Sequence, residues 1–239
     1  NEQEGAMRKP IFGVGCVSVV IAILGLSSVT RAQDFTPVTD AMLREPDPDD
    51  WLNYRRTYNG WGYSPLDQIT TDNAHQLRLV WSWALGSGSQ QTTPLVHDGI
   101  MFIASPGEMV QAIDGATGEL LWEYRRAALA RESKPPSRRA HRNLAIYQNK
   151  IYLNTSDAHV VALDFRTGEE AWDTDIGKGV GFRFSSGAII ADGKVVSGLS
   201  GCGRYRDDTC YIVALNAETG NELWRTSTVA RPGEFGGDT

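Results

Sequence analysis

The chain has 239 residues, 41% hydrophobic and 9% aromatic, with 23 basic against 29 acidic side chains and a net charge of −6. That content can bury a sizeable core in one or two domains and excludes wholesale disorder, while the acidic balance argues against a nucleic-acid partner. The 25 glycines and 7 tryptophans point to tight turns and a recurring large apolar side chain, an all-β composition rather than a helical one.

In chain order, the first feature is Met7-Arg8-Lys9, then an apolar run over 11–26 and Thr30-Arg31-Ala32. Basic, apolar and small residues in that order read as a secretory signal peptide, with cleavage expected after Ala32. The run is short for a bilayer span, so residues 1–32 are set apart as upstream residues plus signal. Export to the periplasm is expected, with no membrane span left after cleavage. Residues 33–50 are rich in Pro and Asp and hold few apolar side chains, so they are expected to lie extended along the surface.

Residues 51–239 carry an internal repeat. Ala112-Ile113-Asp114-Gly115-Ala116-Thr117-Gly118 with Trp122, Ala162-Leu163-Asp164-Phe165-Arg166-Thr167-Gly168 with Trp172, and Ala214-Leu215-Asn216-Ala217-Glu218-Thr219-Gly220 with Trp224 follow one pattern. The tryptophans recur after 50 and then 52 residues, a period of propeller blades or solenoids. Short apolar runs broken by turn residues predict four strands per unit: 93–97, 100–105, 109–113 and 120–124; then 144–147, 151–155, 159–163 and 170–173; then 188–191, 194–199, 210–215 and 222–226. The fold class is therefore an all-β propeller of four-stranded antiparallel blades, about three of them in this chain.

The repeat has a physical reason. Asp or Asn can accept hydrogen bonds from amides across the turn, and Gly takes the positive φ that closes the hairpin. A four-stranded sheet cannot bury both faces alone, so Trp122, Trp172 and Trp224 are expected to act as struts between neighbouring sheets. Trp81 has no complete unit ahead of it and is expected to supply one strand to a blade completed by the far end of a longer chain.

Of the three cysteines, Cys16 leaves with the signal, and Cys202 and Cys210 remain as a pair in an oxidising compartment. A disulfide closing a short loop is expected, the alternative being two buried thiols. Two cysteines without nearby histidines make a poor zinc site, and no CxxCH haem attachment occurs. His75, His97, His141 and His159 are scattered and form no catalytic set, Glu108 is expected to cap an exposed turn, the alternative being that it lines the funnel of the propeller, and no Gly-rich phosphate motif leads from a strand into a helix.

The stretches Asp50-Trp51-Leu52-Asn53-Tyr54-Arg55-Arg56-Thr57-Tyr58, Gly62-Tyr63-Ser64-Pro65-Leu66 and Thr93-Pro94-Leu95-Val96-His97-Asp98-Gly99-Ile100-Met101-Phe102, with the three repeats and the terminal Arg231-Pro232-Gly233-Glu234-Phe235-Gly236-Gly237-Asp238-Thr239, resemble quinoprotein methanol and ethanol dehydrogenases. The resemblance covers nearly all of 50–239. It implies an eight-bladed propeller holding pyrroloquinoline quinone near its axis beside a calcium or lanthanide ion. An alcohol is oxidised by hydride transfer to the quinone, and electrons pass to a cytochrome c. The chain would be the N-terminal portion of such an enzyme, inactive by itself, with the catalytic aspartate beyond Thr239.

Residue by residue, the resemblance assigns Arg142 to the quinone oxygens and carboxylate, a task that suits a planar, fixed cation; the alternative is a solvated basic loop. It assigns Ser185 to a cofactor carboxylate, with a simple turn serine as the alternative. Ser200, Gly201 and Cys202 correspond to the loop beneath the quinone, where small residues let backbone amides approach an anion. Two positions depart from the family. Gly203 stands where a metal-binding glutamate is usual and offers no side-chain oxygen, and Gln91 replaces a glutamate that touches the cofactor. The adjacent cysteine pair of methanol dehydrogenases is also missing, Pro136 and Ser137 standing about where it would fall. A second reading is a non-enzymatic propeller that binds partner proteins through its blade edges and loops.

Overall fold

The computed structural model describes residues 35–126, 142–177, 183–184, 186–200, 211–230 and 232–234. Among them, three antiparallel sheets follow one another along the chain. The first holds β1 (Leu95–His97), β2 (Ile100–Ser105), β3 (Met109–Asp114) and β4 (Leu120–Arg125) in that spatial order. The second holds β5 (Ala145–Tyr147), β6 (Lys150–Asn154), β7 (His159–Asp164) and β8 (Glu170–Asp175). The third holds β10 (Ile189–Ala191), β11 (Lys194–Ser200), β12 (Tyr211–Asn216) and β13 (Glu222–Ser227), with the two-residue β9 (Arg183–Phe184) pairing with β11 as well. These are the strands the repeat predicts, shifted by a residue or two at their ends; β9 alone had no signal in the sequence.

The third turn of every sheet is built in the same way. Asp114 Oδ1 accepts the amides of Ala116 and Thr117 at 2.9 and 2.7 Å; Asp164 does so for Arg166 and Thr167, and Asn216 for Glu218 and Thr219. The glycine that follows donates its amide back to the carbonyl of that Asp or Asn. Beyond the turn the register slips, Ala112 facing Trp122 while Ile113 faces Leu120, so that Leu121 is an extra residue. The same slip recurs at Ala171 and Leu223. Such a bulge re-aims the side chain next to it, here the tryptophan.

Trp81, Trp122 and Trp172 each dock on the sheet that follows. Trp81 Nε1 donates to Gly115 O at 3.0 Å, Trp122 to Phe165 O at 2.9 Å and Trp172 to Ala217 O at 3.2 Å. These carbonyls occupy one position of the repeat, the residue after the turn Asp or Asn. The ring lies over the Thr-Gly glycine: a Cβ on Gly118 would stand 2.7 Å from Trp81, and one on Gly220 2.7 Å from Trp172. Glycine is thus required for the close approach as well as for φ near +70°. Trp122 is 8% exposed and belongs to the core, whereas Trp224, with no following sheet among the described residues, is 42% exposed. The strand expected around Trp81 has no ladder partner among the described residues, and Leu79 and Val80 beside it are exposed.

The first strands of the second and third sheets, β5 and β10, lie side by side, while β4, β8 and β13 are largely exposed. The sheets therefore fan out from a shared inner edge as blades. Because every sheet is a meander, the residues entering the first strands share one end with the turns at 106–108 and 156–158. The turns at 98–99, 148–149 and 192–193 lie at the opposite end.

That opposite end is crossed by residues 35–50, which pack more deeply than their composition implies. Val38 and Leu43 are fully buried, and Val38 exchanges two backbone hydrogen bonds with Gln148. A single helical turn, α1 (Asp40–Arg44), is capped by Thr39, and Asp40 accepts from Tyr147 Oη at 2.8 Å and from the Asp192 amide at 2.9 Å. Phe35 packs against Phe165 with ring centroids 3.9 Å apart and planes tilted by 46°. A few well-placed apolar residues suffice because the sheets supply the rest of the core.

Candidate functional site

Gln91, Arg142 and Ser200, three of the residues that the resemblance assigns, lie towards the end opposite to this strap. Gln91 leads into β1 and Arg142 leads into β5, so two different sheets supply them, yet Arg142 Nε donates to Gln91 Oε1 at 3.1 Å. The guanidinium is exposed, and among the described residues its two Nη groups carry no partner. Two buried polar atoms at the same end, Ser105 Oγ and Asn143 Oδ1, likewise have no hydrogen-bond partner among the described residues. Buried polar atoms left open at one end of a fold mark a place where a ligand or water completes them.

Next to Arg142, Asn143 lines a cleft of about 400 Å³ along the inner edges of the second and third sheets. Ser186, Gly187 and Ser197 line it from the third sheet, and residues of the stretch 53–60 line its other side. Tyr58 anchors that stretch, its hydroxyl donating to Ile190 O at 2.6 Å. Gly187 is pressed so tightly against Asn143 that a Cβ would overlap the Asn143 main chain.

Of the other residues assigned from the sequence, Ser200 ends β11, paired with Arg183 of β9. Ser185, Gly201, Cys202, Gly203 and Cys210 lie outside the described residues, as do Pro136, Ser137 and the segment read as a signal, so the expected disulfide and the loop assigned beneath the quinone lie outside them too. Among the described residues, no group of three or more His, Cys, Asp or Glu is placed to hold a metal ion, and no helix is long and apolar enough to cross a membrane.

Three side chains play roles that the sequence does not announce. Glu108, expected at an exposed turn, is fully buried with φ +59°. Its Oε1 accepts the Ser156 amide at 3.0 Å, joining the turns of the first and second sheets. The expectation fails because the neighbouring sheet covers this turn. Beside it, Arg126 buries its guanidinium between Asp157 (3.2 Å) and Asp173 (2.8 Å). Burial alone would lower its pKa, but the two carboxylates outweigh that and raise it. Thirdly, His97 is buried beneath the strap, with Nδ1 3.0 Å from Asp50 Oδ2 and Nε2 2.8 Å from Thr36 O. Both ring nitrogens face acceptors, which only the doubly protonated ring satisfies. Burial pushes its pKa down, yet the Asp50 hydrogen bond, the Thr36 carbonyl and the Asp50 and Asp98 charges bring the balance to a raised value.

A guanidinium with open donors, the free NH2 side of the Gln91 amide beside it and the unpartnered Ser105 hydroxyl are donors that suit a planar ligand rich in carboxylate and carbonyl oxygens, while Asn143 Oδ1, an acceptor, calls for a donor such as water. Pyrroloquinoline quinone has that donor demand, so the residues present fit the group; Arg142 and Gln91 would hold it.

The β-propeller domain of glucose, ethanol and alcohol dehydrogenases, designated PQQ, matches residues 51–173. The dehydrogenase subunit of a quinone-type alcohol dehydrogenase from Gluconacetobacter polyoxogenes is 33% identical over 92% of the chain and 31% of its own length. A quinoprotein alcohol dehydrogenase of Pseudomonas putida is 30% identical over 93% of the chain and 37% of its own length. Among solved structures, a quinohemoprotein alcohol dehydrogenase of Pseudomonas putida superposes with a TM-score of 0.71 at 32% identity, covering 82% of this chain and 30% of that one. A europium-containing methanol dehydrogenase gives 0.67 at 28% identity over 79% and 34%. The chain thus spans about a third of the length of the relatives it matches.

Proposed function

Because the chain belongs to the family of pyrroloquinoline quinone-dependent alcohol dehydrogenases, we propose that it forms part of a periplasmic enzyme that oxidises an alcohol and passes the electrons to a cytochrome c. When bound, the quinone supplies the hydride acceptor, and the protein contributes placement and electrostatics. The described blades contribute one wall of that site. Arg142 binds carboxylate or quinone oxygens through the Nη groups left open by its bond to Gln91, and its fixed charge favours the developing negative charge of reduction. Gln91 holds the guanidinium in place but, unlike a glutamate, does not neutralise it, so the full positive charge is available to the ligand. Ser200 of the third blade opens the loop that, with Gly201 and Cys202, is assigned beneath the quinone, where small residues let backbone amides approach an anion, and Ser185 is assigned to a cofactor carboxylate. Gly203 supplies no side-chain ligand for a calcium or lanthanide ion, so any such ion would have to be held by other residues.

The observation that carries this reading is the Arg142–Gln91 contact at 3.1 Å across two blades, which a protein-binding scaffold has no need to build. The test is titration of the intact protein with pyrroloquinoline quinone and calcium, followed by absorbance and tryptophan fluorescence. Arg142→Ala should weaken binding by about 2–3 kcal/mol, as expected for lost hydrogen bonds to a charged group. Arg142→Lys should fall between, since an ammonium cannot form the planar fork. An alanine variant that binds within twofold of the parent contradicts the assignment.

A further inference from the structure

We infer that Asn154 is a positioning residue for the quinone-binding end of the propeller, holding the start of the third blade against the second. This rests on the functional reading above and extends it to a side chain outside the resemblance. Asn154 ends β6 and is 6% exposed. Its Nδ2 donates to Ser186 O at 3.0 Å, and its Oδ1 accepts from Ser197 Oγ at 3.0 Å. Both ends of the amide are engaged, so its orientation is fixed by the donors and acceptors around it.

The partners give the contact its meaning. Ser186 and Ser197 line the same cleft as Asn143, the neighbour of Arg142, and β11, which carries Ser197, runs on to Ser200. The amide therefore ties the blade that presents Arg142 to the blade that presents Ser200. Gly187, one residue past Ser186, has no room for a Cβ against Asn143, so the two blades meet here at the closest distance the backbone permits. Slack in this contact changes the spacing of the polar groups that face the ligand, and a site held loosely binds less tightly because ligand binding must then order it.

The repeat also shows that the fold itself does not call for an amide at this point. In the first sheet the register pairs Ala104 with Val110, and in the second it pairs Asn154 with Val160. Ala104 is fully buried in the corresponding place. Asparagine where the architecture is content with alanine points to a need specific to the junction between the second and third blades.

The experiment measures the dissociation constant of pyrroloquinoline quinone, with calcium present, for the intact protein and four variants, together with each melting temperature. Asn154→Ala reproduces the side chain of the first blade. It should raise the dissociation constant about tenfold or more, and Ser197→Ala, which removes one half of the tie, about threefold. Asn216→Ala breaks a turn of the same blade at the opposite end and should leave the constant within about twofold even where it lowers the melting temperature as much. If Asn154→Ala does not fold, Ser197→Ala against Asn216→Ala decides the matter. An Asn154→Ala or Ser197→Ala protein that binds like the parent, or an Asn216→Ala protein that is weakened equally, overturns the inference. Arg142→Ala separates the two levels. Loss of affinity there with none at Asn154 sinks the positioning role alone, while unchanged affinity there, or a parent that binds no quinone, sinks the functional reading and this inference with it.

Discussion

Replacing Gly168 with alanine, alone and together with Trp122→Ala, tests whether the tryptophans lock one blade onto the next. Trp122 is buried, donates to Phe165 O and lies so close over Gly168 that a Cβ there would overlap the ring. Trp122→Ala should cost about 3–5 kcal/mol, the range for truncating a large buried aromatic. Gly168→Ala has two costs: about 1–2 kcal/mol for a non-glycine residue at φ +71°, and about 1–3 kcal/mol for forcing the indole off its seat. Without the indole the second cost disappears. The double variant should therefore be less unstable than the sum of the single ones by about 1–3 kcal/mol, well above the few tenths expected of independent sites. Urea unfolding followed by circular dichroism and fluorescence reads all four corners of the cycle. Costs that add within about 0.5 kcal/mol would mean that ring and glycine do not touch, and the blade-docking account would fail.

Two further outcomes follow from the buried charges. Since His97 has a raised pKa, its contribution is complete below the ordinary histidine value of about 6.5 and is lost as pH rises through the higher folded value. The unfolding midpoint should fall over that window in the parent, and His97→Gln should flatten that part of the curve; a parent curve without the fall counts against a charged ring. At the Arg126 cluster the guanidinium is 2% exposed, whereas Asp157 and Asp173 are 30% and 26% exposed. Arg126→Met leaves carboxylates that water can reach and should cost less than about 2 kcal/mol, while Asp157→Asn with Asp173→Asn strands a buried cation and should cost about 3–5 kcal/mol. Thermal and urea unfolding of the two proteins would rank them, and the reverse order would refute this reading of the burial.

The blades were legible in the sequence because their signals are local. A turn Asp or Asn, a Thr-Gly and a tryptophan four residues later all lie within one hairpin of the sequence, and their return after 50 and 52 residues repeats the message. Arg142 and Gln91 were legible only through resemblance, being 51 residues apart, and no period or propensity predicts that they meet. The burial of Glu108, Arg126 and His97 is not legible in the sequence because it is created by neighbouring sheets and by the strap. Asn154 did leave a trace, a polar residue at a register position that the first repeat fills with Ala104, but recognising it requires the ladder pairing. The strap at 35–50 looked solvated because its few apolar residues borrow a core that the rest of the chain builds.

The most direct test of the central claim is a crystal structure of the intact protein grown with pyrroloquinoline quinone and calcium. The account predicts density for the quinone at the end where β1 and β5 begin, with an Arg142 Nη group within hydrogen-bonding distance, about 2.7–3.2 Å, of one of its oxygens. Quinone density elsewhere, or an Arg142 turned away into solvent with the quinone in place, would contradict it.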